Sequence, residues 1–239
     1  MGKQLITQRR GRGTTTYRSP GHRFVGAAKH RSLSSVAVQG VVRDIVDCPG
    51  HTAPLMYVEY EDGQISLTIA PEGIRVHQMV EAHGLNASLG NIIRLGDAPE
   101  GTLLYNIECT PGDGGKLVRC SGTFGRVVAQ QEGKTMVLLP SKEQKLFLPE
   151  CRASVGVVAG GARLEKCFTK AGKKHHQMRA RNKLYPRVCG ISMNAVDHPH
   201  GGSSSHAKNG PDIARRHAPP GANVGKIRPR RTGRKRGTA

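Results

Sequence analysis

The chain has 239 residues, room for one large or two small domains, and carries 4% aromatic residues, no Trp, 31 Gly and 14 Pro. So few large side chains exclude a core built on aromatics, and small barrels or loop-rich packing fit better than a large α/β fold. The net charge of +20 is segregated: residues 1–35 hold 8 Lys/Arg and no acid, residues 36–168 hold 12 against 15, and residues 169–239 hold 17 against 2.

Uniform charge would point to solubility. Two basic ends around a nearly neutral middle point instead to a polyanion. Residues 1–35 read as a basic N-terminal arm in which Arg and Gly interleave with Tyr17 and Phe24. That texture suits phosphate contacts with occasional base stacking, with His22 and Arg23 among the candidates. Polycationic, Gly-rich segments bury too little apolar surface to fold alone, so disorder is expected of this arm in the free protein.

From Val36 the texture becomes short β-type runs with frequent turn signals. Val36–Val46 is β-branched and apolar. Leu55–Tyr60 and Gln64–Ala70 flank Glu61-Asp62-Gly63, and Asp-Gly is a strong hairpin signal. Ile65, Leu67 and Ile69 alternate with Gln64, Ser66 and Thr68, as in a half-buried strand. Ile74–Val80 supplies a further candidate. These runs suggest a small antiparallel barrel of the oligonucleotide-binding type, which composition does not separate from other small barrels.

Ala82–Pro99 reads as a connector. A second β-rich block follows: Thr102–Cys109, Lys116–Ser121, Gly125–Gln130, Lys134–Leu139, Gln144–Leu148 and Ala153–Val158. Its turns are Pro111–Gly115, Glu132-Gly133 and Ser141-Lys142-Glu143, and the spacing again favours an all-β barrel. After Gly160-Gly161 charge rises, and Lys170–Arg181 predicts a short basic helix. From Asn182 onward no period is sustained, and the chain ends in a polybasic tail.

The six cysteines are irregularly spaced with no CxxC, so the usual structural-zinc signature is missing. Neither a signal peptide nor an apolar run of spanning length is present, which places free thiols in a reducing cytoplasm with no membrane partner.

Three chemistries compete for Asp197-His198-Pro199-His200-Gly201-Gly202. An acid beside an imidazole invites general-base catalysis by His198, but no nucleophile motif accompanies it. His198, His200, His175 and His176 invite a metal, yet apart from Asp197 no carboxylate or thiol lies at a ligand-like spacing. Magnesium held among phosphates fits better, and the sequence gives it no position. Pro111–Gly115 is Gly-rich but carries an acid, so it is a weak nucleotide cradle. RNA or DNA binding accounts for more features: imidazoles donate to phosphate or a 2′-hydroxyl, and Gly201-Gly202 lets a sugar–phosphate strand come close. Arg179, Arg181, Lys183 and Arg187 lead into the loop.

Residues 190–202, Gly-Ile-Ser-Met-Asn-Ala-Val-Asp-His-Pro-His-Gly-Gly, resemble the signature of the universal large-subunit ribosomal protein two family in its archaeal form. Ile69–Gly73, Pro111–Lys116, Cys151–Gly156 and Lys170–His176 match the same family in order. The resemblance implies an all-β fold: an oligonucleotide-binding barrel over residues 36–83, an SH3-like barrel over 86–168, and a basic RNA-threading extension over 169–239. It implies a non-enzymatic constituent of the cytoplasmic ribosome that binds large-subunit RNA near the peptidyl-transferase centre. Its implied partners are neighbouring ribosomal proteins, the small subunit through an intersubunit bridge, and the vicinity of tRNA.

By the same resemblance, His198 falls on a histidine needed for full ribosomal activity, flanked by Asn194, Asp197 and His200. Arg119 falls on an RNA-contacting arginine and Ser141 on a functional position. Lys116, Lys173, His175 and His176 lie in matching motifs. One departure is Asp47-Cys48-Pro49-Gly50-His51, where many relatives carry Arg at the position of His51.

Overall fold

The hairpin signal at Asp62-Gly63 folds as read: β2 (Leu55–Tyr60) and β3 (Ile65–Ile69) pair antiparallel from Leu55↔Ile69 to Glu59↔Ile65. Gly63 takes φ 78°, the left-handed value this turn needs. β1 (Val38–Val46) pairs with β2 on one side and with β4 (Met79–Ala82) on the other. A register shift between Val42 and Asp44 bends β1, as a bulge does. Tyr60 crosses Gly40, where an added Cβ would lie 2.7 Å from the ring, so the first β block closes tightly there.

These features belong to a computed structural model that describes residues 2–34, 36–131, 133–202, 213–214, 217–221 and 224–227. The chain divides into two units, one of residues 21–169 and one of residues 1–20 with 170–239.

In the first unit a ten-stranded ladder runs β3-β2-β1-β4-β5-β10-β6-β7-β8-β9. Its second half comprises β5 (Ile92–Arg94), β6 (Leu103–Tyr105), β7 (Gly125–Gln131), β8 (Lys134–Leu138), β9 (Gln144–Phe147) and β10 (Arg152–Val155). The all-β class holds. The ladder joins the two predicted blocks through one parallel contact, Ala82↔Ile92. The division into two barrels rests on the family resemblance.

Three apolar clusters fill the unit. Val42, Met56, Val58 and Val80 anchor the first block, and Ile93, Leu104, Val127 and Val137 the second. Ala28, Leu55, Ile69, Tyr105 and Val158 pack between them.

Four expectations are corrected. The predicted strand over residues 74–80 shrinks to a shifted β4, because Val76-His77 turn with His77 at φ 66°. The supposed connector over residues 82–99 contains β5 and a 3₁₀ turn at Leu95–Asp97, with Ile93 and Leu95 fully buried. Lys116–Ser121 is not a strand: it makes a single bridge, Ile107↔Leu117, and Val118 sits at φ 54°, outside the extended region. The first arm is not uniformly disordered. Ile6–Gly11 forms α1, Gly21–Arg23 a 3₁₀ turn, and Ala28, His30 and Arg31 are buried.

That last correction has a visible cause. The 28–31 backbone threads the seam between the β blocks: Lys29 N donates to Leu67 O at 2.9 Å, and His30 N donates to Gly114 O at 3.0 Å. Arg119 donates to Ala28 O at 2.8 Å, and Arg152 to Arg31 O at 2.8 Å. The Arg31 side chain meets Asp62 at 2.6 Å and lies over the Tyr60 ring.

In the second unit α2 (Ala171–Ala180) covers the predicted basic helix. It buries no side chain, and its first turn carries no acid to offset Lys173 and Lys174 beside the positive end of the helix dipole. Residues 190–192 make a 3₁₀ turn, and Ile213–Ala214 pairs in parallel with Lys226–Ile227.

Candidate nucleic-acid interface

The signature loop is held by its own backbone. Asp197 N and His198 N both donate to Asn194 O, Gly201 N donates to His198 O at 2.8 Å, and Gly202 N to Met193 O at 3.1 Å. A Cβ at Gly201 would lie 2.3 Å from Asn194 O, and Gly202 takes φ 107°. The bare Cα of Gly201 thus serves a close approach inside the loop, against Asn194 O.

His198 is oriented from two sides. Its ring lies over Gly190, where a Cβ would fall 2.4 Å from Cε1 and Nδ1. His200 N donates to His198 Nδ1 at 3.0 Å, and the two rings meet edge-on with centroids 4.8 Å apart. Nδ1 thus accepts, and the neutral ring carries its proton on Nε2. Burial, then the neighbouring His200, lowers the His198 pKa below the usual histidine value and favours this neutral form. Asp197 lies 3.4 Å from Lys3 Nζ, and Lys3 N donates to Val196 O at 2.8 Å.

On α2, Lys173, His175, His176 and Arg179 are exposed, and the two imidazoles meet edge-on at 5.7 Å. Arg181, at the C-terminal cap of α2, is half-buried. Lys174 lies over the Tyr185 ring. Asn194 is exposed on the loop, while Asp197, His198 and His200 are half-buried. The structure thus brings Asn194, Asp197, His198, His200, Gly201 and Gly202 together.

The remaining candidates lie in the other unit. His22, Arg23, Lys116 and Ser141 are exposed, in separate turns. Arg119 is turned inward, donating to Gly115 O at 2.9 Å and to Ala28 O. Half-buried His51 has its pKa lowered first by burial and then by the Arg119 charge, so it is a weak cation. The Gly-rich turn does cradle an anion, but its own: Gly112 N and Gly114 N donate to the buried Glu108 carboxylate at 3.2 and 3.0 Å. Among the described residues no group of three or more His, Cys, Asp or Glu is placed to hold a metal, and no helix is long and apolar enough to cross a membrane.

Sequence reasoning missed Gly190, whose bare Cα makes room for the His198 ring, and Lys3, which faces Asp197. Gly190 stood at the head of the signature with no role assigned, and the signal for Lys3 was the rarity of acid in the basic ends: Asp197 is one of 2 acids after residue 168.

Residues 88–220 match the family described as Ribosomal Proteins L2, C-terminal domain. Over nearly the whole length the chain is also similar to proteins named large ribosomal subunit protein uL2. That of Methanothermobacter thermautotrophicus is 51% identical over 242 residues, covering 99% of this chain and 100% of the relative. That of Methanococcus maripaludis is 49% identical over 241 residues, covering 98% and 100%, and that of Methanosphaera stadtmanae 48% over 242, covering 99% and 100%. The chain belongs to the uL2 family of ribosomal proteins. The loop described above lies within the matched span, as does all of α2.

Proposed function

We propose that the chain is a structural, non-enzymatic constituent of the large ribosomal subunit whose basic unit threads large-subunit ribosomal RNA near the peptidyl-transferase centre. One observation carries the reading. The unit of residues 1–20 and 170–239 holds 22 Lys/Arg against 2 acids, while residues 21–169 hold 15 of each. All of the net charge therefore sits on one unit. Charge so concentrated repels itself until a polyanion neutralises it.

The neutral β-rich unit serves as the docking body, with exposed His22, Arg23, Lys116 and Ser141 as its RNA-facing candidates, while Arg119 braces the 28–31 segment from within. The signature loop presents His198 as a donor. With Nδ1 occupied by the His200 N–H and the proton on Nε2, the ring is suited to hold an acceptor on RNA rather than to remove a proton. In this reading peptide-bond formation is RNA chemistry that the loop supports by placement, alongside subunit association and tRNA placement. Neighbouring ribosomal proteins, the small subunit and phosphate-bound magnesium complete its surroundings in the cytoplasmic ribosome.

The tagged protein is expected to co-sediment with large subunits in high salt, and failure to do so would overturn the assignment. His198→Gln separates placement from catalysis: subunit content and peptidyl transfer should fall in proportion. Normal assembly with chemistry abolished would instead make His198 catalytic.

A further inference from the structure

Within the basic unit, α1, the signature loop and the segment leading into it line a cavity of about 580 Å³. This lies within the roughly 300–1,000 Å³ typical of small-ligand pockets. One wall is apolar, made by Leu5, Leu184, Pro186, Val188 and Met193. Leu5 is 5% exposed and Met193 half-buried, while Leu184, Pro186 and Val188 are exposed, so most of the apolar lining stays open. The polar part of the lining includes Arg10, Arg187, Asp197 and His198. The Lys3–Val196 and Lys3–Asp197 contacts tie the N-terminal segment to the loop, so the whole lining belongs to one unit.

We propose that this cavity seats a single unstacked nucleotide of the bound RNA. The inference rests on the RNA-binding reading above and goes beyond it by giving one nucleotide a place. Each part of a ribonucleotide has a counterpart. The flat base lies against the aliphatic wall, as splayed-out bases do in proteins that bind them outside a helix. The phosphate meets the guanidinium groups of Arg10 and Arg187.

The 2′-hydroxyl both donates and accepts, and the loop offers both complements: the Asp197 carboxylate accepts and His198 Nε2–H donates. A deoxynucleotide would leave His198 Nε2–H without that acceptor, while Asp197 keeps Lys3 at 3.4 Å, so the site favours RNA through His198. Charge narrows the class of occupant, because a lining with Arg10 and Arg187 in a unit of 22 Lys/Arg against 2 acids favours an anion and disfavours basic peptides.

The test is a footprint of the full chain on large-subunit ribosomal RNA from the same source, read by base-specific modification and by 2′-hydroxyl acylation. Val188→Trp fills the cavity with an indole. It should expose one unpaired nucleotide, or two adjacent ones, to the level of free RNA while the rest of the footprint persists. Asp197→Asn should raise 2′-hydroxyl acylation at that same nucleotide with its base still protected.

If wild type and Val188→Trp give the same footprint at every nucleotide, the cavity proposal fails and RNA binding stands. If wild type gives no footprint, both fail. If Val188→Trp abolishes the whole footprint, Asp197→Asn decides: unchanged acylation at every unpaired nucleotide overturns the proposal.

Discussion

His30 lies buried in the seam with its Nε2 2.6 Å from Asn106 O, so it donates to that carbonyl as a neutral imidazole. Burial is the main cause that lowers its pKa to about 4 from 6.5. The folded protein therefore binds fewer protons than the unfolded chain between those values. Its stabilising contribution is complete above pH 6.5 and is lost as pH falls toward 4. The loss approaches 1.4 kcal/mol per pH unit, on the order of 3 kcal/mol in all. His30→Gln keeps a donor and removes the titration, so urea unfolding of the full chain should change less between about pH 7.5 and about pH 5 than in wild type.

A second residue-scale prediction concerns Arg152, 2% exposed, whose NH2 lies 2.6 Å from the fully buried Glu108. Burial works against the Glu108 charge, but hydrogen bonds from Arg152 overcome it and hold the carboxyl below its usual pKa. Arg152→Met strands a buried carboxylate and should cost roughly 3–5 kcal/mol in denaturant unfolding. Adding Glu108→Gln should recover part of that cost. Neither His30 nor this pair was legible beforehand. His30 stood inside a basic arm, and Glu108 and Arg152 are 44 residues apart, beyond any local pattern.

At the scale of elements, β2, β3, β7, β8 and β9 match the runs read from alternation and turn chemistry. A strand with one face inward and a tight Asp-Gly or Glu-Gly turn carries its own signal. β5 carries none, since three residues show no period, yet it is the joint of the ladder, paired with β10 and in parallel with β4. Ile93 on β5 is fully buried against the second core. Ile93→Ala should cost roughly 2–5 kcal/mol, read as a lowered unfolding midpoint. The exposed Ile65 on β3 should tolerate the same change almost freely. The elements of the signature loop were half legible. Pro199 and the glycines excluded a regular helix, but only the folded backbone showed Gly201 turned onto Asn194.

At the scale of the molecule, charge divides by unit, and this governs binding. If the basic unit meets about ten phosphates, log K for RNA should fall with log salt with a slope of roughly −7 to −9. Arg179→Gln on the exposed face of α2 should weaken binding evenly across RNA sequences and reduce that slope by about one. Filter binding over a salt series measures both. A slope near zero in wild type would contradict a polyanion partner.

The amino-acid order by itself determined the all-β class, the hairpin positions and the basic helix, because each rests on residues within a few positions of one another, and composition alone showed the charge segregated to the two ends. The signature residues likewise identified the family without any coordinates. Tertiary structure decided what the polar residues are for. It turned Arg119 and the Gly-rich turn inward, buried residues 28–31 in a seam, and gave the His198 proton to Nε2. Those outcomes depend on which distant groups meet, and partners 44, 76 or 91 residues apart are chosen by packing, not by neighbourhood in the chain.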